Sequence, residues 1–248
     1  MTGTDNRAAI RTSPAVFLPV LLLFLSSTLL WAFVLTGSGT GMSVWAMTRL
    51  TLPPAQQVAG LVEDWTANYT LQMILMWWTM MLAMMFLPIG LNEFNRLRHT
   101  TVTASLAFLC GYSAVWLLFA IAATGLQWGL ERAALFHPFM MWSVSPVLSS
   151  ALLAFAGIYQ LTGLKSSTRT ACHTSRLSLH SGLTFGINCM LSTSPLMLLF
   201  FVGGTMNVVW MAGLTLIVLV ERCLEDHRFF DFSLSALLLG MSGWRAFA

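Results

Sequence analysis

Six methionines and two tryptophans occupy a sixteen-residue segment without charge, MILMWWTMMLAMMFLP at positions 73–88. In an α-helix, residues three, four and seven positions apart share a face, so most of these sulfurs fall on one stripe. The stripe contains Met73, Met76, Met80 and Met84, and the adjoining row contains Met81 and Met85. At a rise of about 1.5 Å per residue the stripe is about 16 Å long. The spacing therefore predicts a row of thioether groups along a single helix.

A thioether is a soft, uncharged ligand that binds without losing a proton. These properties suit Cu(I) and do not attract hard cations such as Mg²⁺. A thioether also avoids the penalty that a carboxylate meets in the low-dielectric bilayer. We therefore predict that the stripe helps to hold Cu(I). The alternative is that methionine serves as flexible apolar filler between helices.

More soft ligands lie in three segments outside this helix. They are Met42 and Met47, then His137 with Met140 and Met141 in HPFMM, then Met206 and Met211 in GTMNVVWM. If the helices form an ordinary bundle, we expect these segments to gather around one end of the methionine helix.

The composition of the chain is typical of an integral membrane protein, so transmembrane helices are expected to position these residues. Of the 248 residues, 57% are hydrophobic and 8% are charged, which leaves too few polar residues to cover a soluble globule. A bilayer core needs about 20 apolar residues per spanning helix, and such runs recur along the chain. We predict an all-α, polytopic transmembrane helix bundle that forms one domain, residues 1–248. Its seven spans are expected at positions 16–35, 69–87, 102–123, 144–161, 183–202, 206–220 and 230–247.

Three of these spans have distinguishing features. The glycines of GGT at 203–205 are the only break between the fifth and sixth spans, which predicts a tight hairpin. The seventh span carries three serines and two glycines; the alternative is an interfacial helix, which would leave six spans. The apolar run of the first span is longer than that of a cleaved signal peptide, so we predict an uncleaved anchor.

The basic residues predict the orientation. With the N-terminus inside, nine of the twelve Lys and Arg residues fall on inner segments, and Arg49, Arg132 and Arg245 fall on outer ones. This asymmetry satisfies the positive-inside rule, and it turns the three methionine segments outward from the cytoplasmic (inner) membrane. The basic residues form no aromatic-interleaved patch, so nucleic acid is excluded as a partner and the lipid bilayer is expected.

The remaining polar residues indicate no catalytic centre. No two of the four cysteines form a CxxC pair, and no Ser/His/Asp set or glycine-rich phosphate loop occurs. We interpret Glu131 beside Arg132 and Glu221 beside Arg222 as ion pairs at the membrane interface. GLTFG at 182–186 predicts close helix packing. The chain is not expected to be an enzyme.

Several sequence blocks occur in a fixed order over most of residues 73–222. They are MWWTMMLAMM, LQWGLERAAL, SPVLSSALLAFAGIYQLTGLK, and GLTFGINC continuing to PLMLLFFVGGTMNVVWMAGLTLIVLVER. In these blocks the chain resembles the bacterial integral membrane proteins catalogued as predicted metal-binding. That family includes the copper-delivery membrane protein of a tyrosinase (polyphenol oxidase) operon.

The resemblance implies a set of metal ligands. They are Met80, Met81, Met84, Met85, Met197, Met206 and Cys189, with Cys172 in a loop pattern. The chain departs from the family's cysteines at Thr168, Ser192 and Thr193. The remaining candidate ligands are the thioethers and Cys189. His137, which is expected on the outer side, adds one imidazole.

Two functions follow from these residues. The first is a copper-binding membrane chaperone that holds Cu(I) in a methionine-rich site and delivers it to a copper-enzyme client. The alternative is a structural or assembly subunit of a membrane protein complex, without bound metal. A copper transporter is a third possibility, disfavoured because the sequence shows no CPC-type site and no acidic residue deep within a predicted span.

Overall fold

The computed structural model describes residues 18–37, 48, 65–93, 97, 100–137, 141–170, 177–224 and 228–247. Within these residues the regular structure is helical, and the β pairing is limited to an isolated antiparallel bridge between Phe136 and Ser143. In chain order the helices are α1 (Leu18–Leu35), α2 (Ala67–Asn92), α3 (Val102–Arg132), α4 (Pro146–Gln160), α5 (Gly163–Thr170), α6 (Leu179–Met197), α7 (Phe200–Gly203), α8 (Val208–Cys223) and α9 (Arg228–Phe247).

Four stretches of the described chain are long and apolar enough to cross a bilayer: Leu18–Leu35, Ala67–Leu91, Val102–Arg132 and Leu179–Gly203. Helix α4 is apolar but has only 15 residues, which at about 1.5 Å each fall short of a hydrocarbon core of about 30 Å. Helix α8 has 16 residues, and α9 carries three charged side chains. The prediction of an all-α, multi-pass bundle is confirmed. Four of the seven predicted spans have the length and hydropathy that crossing needs.

Two helices continue past their predicted ends. Helix α2 runs through Pro88 to Asn92, although a proline removes one backbone hydrogen bond from the helix interior. Helix α3 continues past residue 123 to Arg132, because its polar residues Gln127 and Glu131 are buried against α2 and do not face water. Polar residues in an apolar sequence had indicated a loop at this position.

Side-chain caps fix where most of these helices begin. The side chains of Thr66, Thr101, Ser145, Ser178 and Asn207 each accept a hydrogen bond from a backbone N–H in the first turn of the helix that follows. Such a cap satisfies one of the N–H groups that the helix itself leaves unpaired, and losing it costs about 1 kcal/mol.

Glycines allow α3 and α6 to approach closely. A Cβ built on Gly182 would lie 2.1 Å from the carbonyl oxygen of Phe108, and one on Gly111 would lie 2.4 Å from that of Leu179. On the same face, a Cβ on Gly186 would lie 3.0 Å from Val115. The close packing predicted from GLTFG is therefore confirmed, and it uses a glycine on each helix.

A buried ion cluster joins α5, α8 and α9. The ammonium of Lys165 lies 2.9 Å from Oε1 of Glu221 and 3.3 Å from Oδ1 of Asp231, and it also donates to Oε1 of Gln160. Glu221, predicted to lie at the membrane interface beside Arg222, is instead 2% exposed. Glu221 is buried with Lys165, and the cluster ties three helix ends together.

Candidate metal site

All six methionines of α2 point into the protein. Met73, Met76, Met80, Met81, Met84 and Met85 are each at most 3% exposed. Helix α2 packs against α1, α3 and α8, so its methionine face is covered on several sides. The sulfurs predicted from the helical spacing therefore lie in the core of the bundle and not toward lipid.

Two of these methionines meet two others at a small cavity. Met76 and Met80 of α2 face Met206, in the turn before α8, and Met211 in its first turns. The cavity has a free volume of about 10 Å³, which is room for a single water or ion. Val34, Thr205, Asn207 and Val208 complete its wall. We call this feature, lined by Met76, Met80, Met206 and Met211, the thioether cavity.

The hairpin between α7 and α8 brings the second pair of methionines to α2. Gly204 adopts a φ of 94°, in the left-handed region that favours glycine, and a Cβ on Gly203 would strike the ring of Trp210. The Asn207 side chain then caps α8 through the backbone N–H groups of Val209 and Trp210, while its Nδ2 donates to the Gly203 carbonyl. The tight hairpin predicted from GGT is confirmed.

A short loop holds this hairpin from the α3–α4 side. The backbone N–H of Thr205 donates to the carbonyl of Met141 at 3.0 Å, and that of Ser143 donates to the carbonyl of Phe201 at 2.7 Å. Met141 itself has a φ of 52°, an uncommon value for a residue with a side chain. The loop therefore fixes the backbone beside Met206.

His137 belongs to this loop but does not line the thioether cavity. Its ring lies 5.5 Å from that of Trp142, measured between centroids, and its backbone N–H donates to the Trp142 carbonyl. Other predicted soft ligands, Met42, Met47, Met140 and Cys172, lie outside the described residues.

A chain of polar side chains anchors the end of the methionine helix. The indole of Trp77 donates to Oε1 of Gln127 at 2.9 Å, and Nε2 of Gln127 donates to Oε1 of Glu131 at 2.9 Å. Trp65 donates to the other oxygen of Glu131, and Nε2 of Gln127 lies 3.9 Å from the sulfur of Met73. The ion pair predicted for Glu131 with Arg132 is not what the structure shows.

Sequence reasoning missed Gln127 as part of this site. The available signal was its spacing: Gln127 and Glu131 lie four residues apart and so share a helix face. Arg132 instead places its guanidinium 5.3 Å from the centroid of the Trp128 ring.

Cys189 lies in a separate polar cluster. Its sulfur is 3.3 Å from the Tyr112 hydroxyl and 3.4 Å from Nη2 of Arg222, which also donates to the Ser192 hydroxyl at 3.1 Å. At the positions where the family pattern has cysteines, Ser192 and Thr193 donate their hydroxyls to the Cys189 carbonyl. The structure does not bring Cys189 to the thioether cavity.

The other predicted ligands are core residues. Met81, Met84, Met85 and Met197 are buried, and none of them lines the thioether cavity. Of the eight predicted ligands, the structure therefore brings Met80 and Met206 together, and it adds Met76 and Met211.

The donor set of the cavity fits a soft monovalent cation. Four methionine side chains line it, and none of its wall residues is charged. Elsewhere in the described residues, no three His, Cys, Asp or Glu side chains form a group that would hold a metal. Thioethers are ligands for Cu(I) and not for hard divalent ions.

Comparison with known protein families agrees with this chemistry. The family model PpoB2, described as "Copper chaperone", matches residues 74–244, which include all four methionines of the thioether cavity. No match was found among curated proteins or among solved structures. Since the family match spans most of the chain and both walls of the cavity, the chain belongs to the PpoB2 family of copper chaperones.

Proposed function

We propose that the thioether cavity is the Cu(I) site of this copper chaperone, and that the protein passes the ion to a copper enzyme during its assembly. The observation that carries the proposal is that four methionines, from two distant segments of the chain, line one space the size of a single water or ion.

The position of the cavity suits uptake and release at a membrane surface. Met76 lies nine residues into α2, Met206 directly precedes α8, and Val34 is at the end of α1. The three helix ends lie on the side that the basic residues predict to be outer. Copper would therefore enter and leave on the outer side of the inner membrane, where we also place the client enzyme.

Neutral ligands suit delivery more than storage. A thioether binds Cu(I) without proton release, so exchange needs no acid or base at the site. We propose that the chain acts without catalysis, and that the buried methionines Met81, Met84, Met85 and Met197 supply further soft positions outside the cavity. His137 and Cys189 are proposed as separate soft positions.

Copper stoichiometry tests the site. The purified protein in detergent is loaded anaerobically with Cu(I) and titrated against a chromogenic Cu(I) chelator. Met76, Met80, Met206 and Met211 are replaced together by leucine, which conserves volume, and we expect the tightest site to be lost. The matched control replaces Met81, Met84, Met85 and Met197 by leucine and should keep it.

The other outcomes have distinct meanings. A loss of copper only in the control variant would assign the site to Met81, Met84, Met85 and Met197. No copper in the wild-type protein would support the alternative of an assembly subunit, and co-purification with a fixed partner would strengthen it. Copper accumulation inside sealed vesicles would indicate transport in place of delivery.

A further inference from the structure

A groove of about 430 Å³ opens between the ends of α2 and α3, away from the thioether cavity. Trp65, Thr70 and Ile74 line one wall, and Thr124, Gly125 and Trp128 line the other. On α3, Trp128 lies four positions after Thr124 and three after Gly125, so these residues share one side of that helix. The groove is mostly apolar and is framed by two tryptophans.

The groove contains a buried hydroxyl. Thr124 is 3% exposed, and its Oγ1 has no hydrogen-bond partner among the described residues. A buried polar atom of this kind is stabilised by a partner, and leaving it unpaired is costly. A groove-bound molecule with a hydrogen-bond acceptor, such as an ester carbonyl, would supply one.

A cation stands above the groove on the same helix. Arg132 follows Trp128 by one turn, and its guanidinium lies 5.3 Å from the centroid of that ring. The neighbouring carboxylate of Glu131 is buried and accepts hydrogen bonds from Trp65 and Gln127. Arg132 is exposed, so among the described residues beside the groove it supplies the accessible charge.

The length of α3 places these groups at the level of lipid headgroups. Its 31 residues span about 46 Å at 1.5 Å each, which exceeds a hydrocarbon core of about 30 Å. The end of α3 that carries Trp128 and Arg132 thus reaches the interface, where tryptophan side chains are enriched.

We propose that this groove binds one anionic phospholipid, with an acyl chain between Ile74 and Gly125, an ester carbonyl at the Thr124 hydroxyl and the phosphate at Arg132. A phospholipid carries all three groups that these features would bind: an anionic phosphate, an ester carbonyl and an apolar chain. This lipid site is independent of copper binding.

Native mass spectrometry of the delipidated protein tests the site. Phosphatidylglycerol and phosphatidylcholine with identical acyl chains are added separately to the detergent-solubilised chain. We expect one phosphatidylglycerol to be retained per chain, in preference to phosphatidylcholine by about fivefold, the factor that one basic residue contributes at an anionic lipid surface. Arg132→Gln should remove this preference, and Thr124→Val should weaken the binding of both lipids.

Two glycines provide a matched pair of variants. A Cβ on Gly125 or on Gly129 meets no heavy atom within 4 Å, so a side chain at either position begins in open space, but only Gly125 lines the groove. Gly125→Leu should abolish lipid retention, and Gly129→Leu should keep it. An unchanged melting temperature and unchanged copper binding in both variants would show that they fold.

Either of two results would overturn the proposal. One is lipid retention by the folded Gly125→Leu variant at the wild-type level. The other is equal retention of the two lipids by the wild-type protein, which would reduce the site to non-specific contact with the bilayer.

Discussion

The guanidinium of Arg222 donates a hydrogen bond to the sulfur of Cys189, with Nη2 and Sγ 3.4 Å apart. A positive charge thus lies beside Cys189, one of the two cysteines that the family resemblance implies as ligands. Like charges in a medium of low dielectric constant repel strongly, so a copper ion at this sulfur would require Arg222 to move.

This arrangement predicts that Cys189→Ser leaves the tightest Cu(I) site intact. The expected dissociation constant stays within about threefold of wild type, whereas removing a thioether from the cavity raises it by about tenfold or more, which corresponds to about 1.4 kcal/mol. Chelator competition measures both. A loss of copper in Cys189→Ser would join this sulfur to the site, as the family resemblance implies.

The ion cluster around Lys165 predicts a large effect on stability. Lys165→Met removes the ammonium that faces the carboxylates of Glu221 and Asp231. Breaking a buried ion pair by removing one partner costs about 3–5 kcal/mol, so the apparent melting temperature in detergent should fall by on the order of 10 °C. The triple variant Lys165→Met, Glu221→Gln and Asp231→Asn also neutralises the carboxylates, and it should regain most of the lost melting temperature. A Lys165→Met variant with the melting temperature of the wild type would contradict this account.

The polar chain at Gln127 predicts that Gln127→Leu lowers the thermal stability of the protein. Gln127→Leu removes the acceptor of the Trp77 indole and a donor to Glu131, both buried. An unsatisfied buried polar group costs about 1–3 kcal/mol, so thermal stability should fall, and the Trp77 ring beside Met76 should lose its fixed orientation.

Gln127→Glu separates the two contacts. It keeps an acceptor for Trp77 but places a second carboxylate beside Glu131, so its stability should depend on pH and recover in acid. Melting curves collected across pH check this, and a pH-independent curve would assign the effect to packing.

The contact between α3 and α6 predicts that Gly182→Ala destabilises the bundle. The added Cβ would lie 2.1 Å from the Phe108 carbonyl oxygen, and overpacking of this kind costs about 1–3 kcal/mol. Gly213→Ala is the control, because a Cβ there meets nothing within 4 Å and alanine favours the helix. Thermal unfolding of both variants should show a fall for the first and none for the second.

Much of the fold follows from local sequence. The apolar runs predict the long helices, GGT predicts the hairpin, and GLTFG predicts the close approach of α6, because each depends on length, turn geometry or side-chain size within a few residues. The extension of α3 to its observed end could not be predicted from local sequence. Gln127 and Glu131 are polar, and the tryptophan side chains that hydrogen-bond to them are distant in sequence.

The chain's own sequence determined that six methionines share one helix and that the helix is buried, since helical periodicity and hydrophobicity are properties of neighbouring residues. Which sulfurs meet was decided only in three dimensions. The hairpin of α7 and α8 places Met206 and Met211 beside Met76 and Met80. Cys189 instead contacts Arg222 in a separate cluster. Distant segments converge through the packing of whole helices, and no spacing within one segment contains that information.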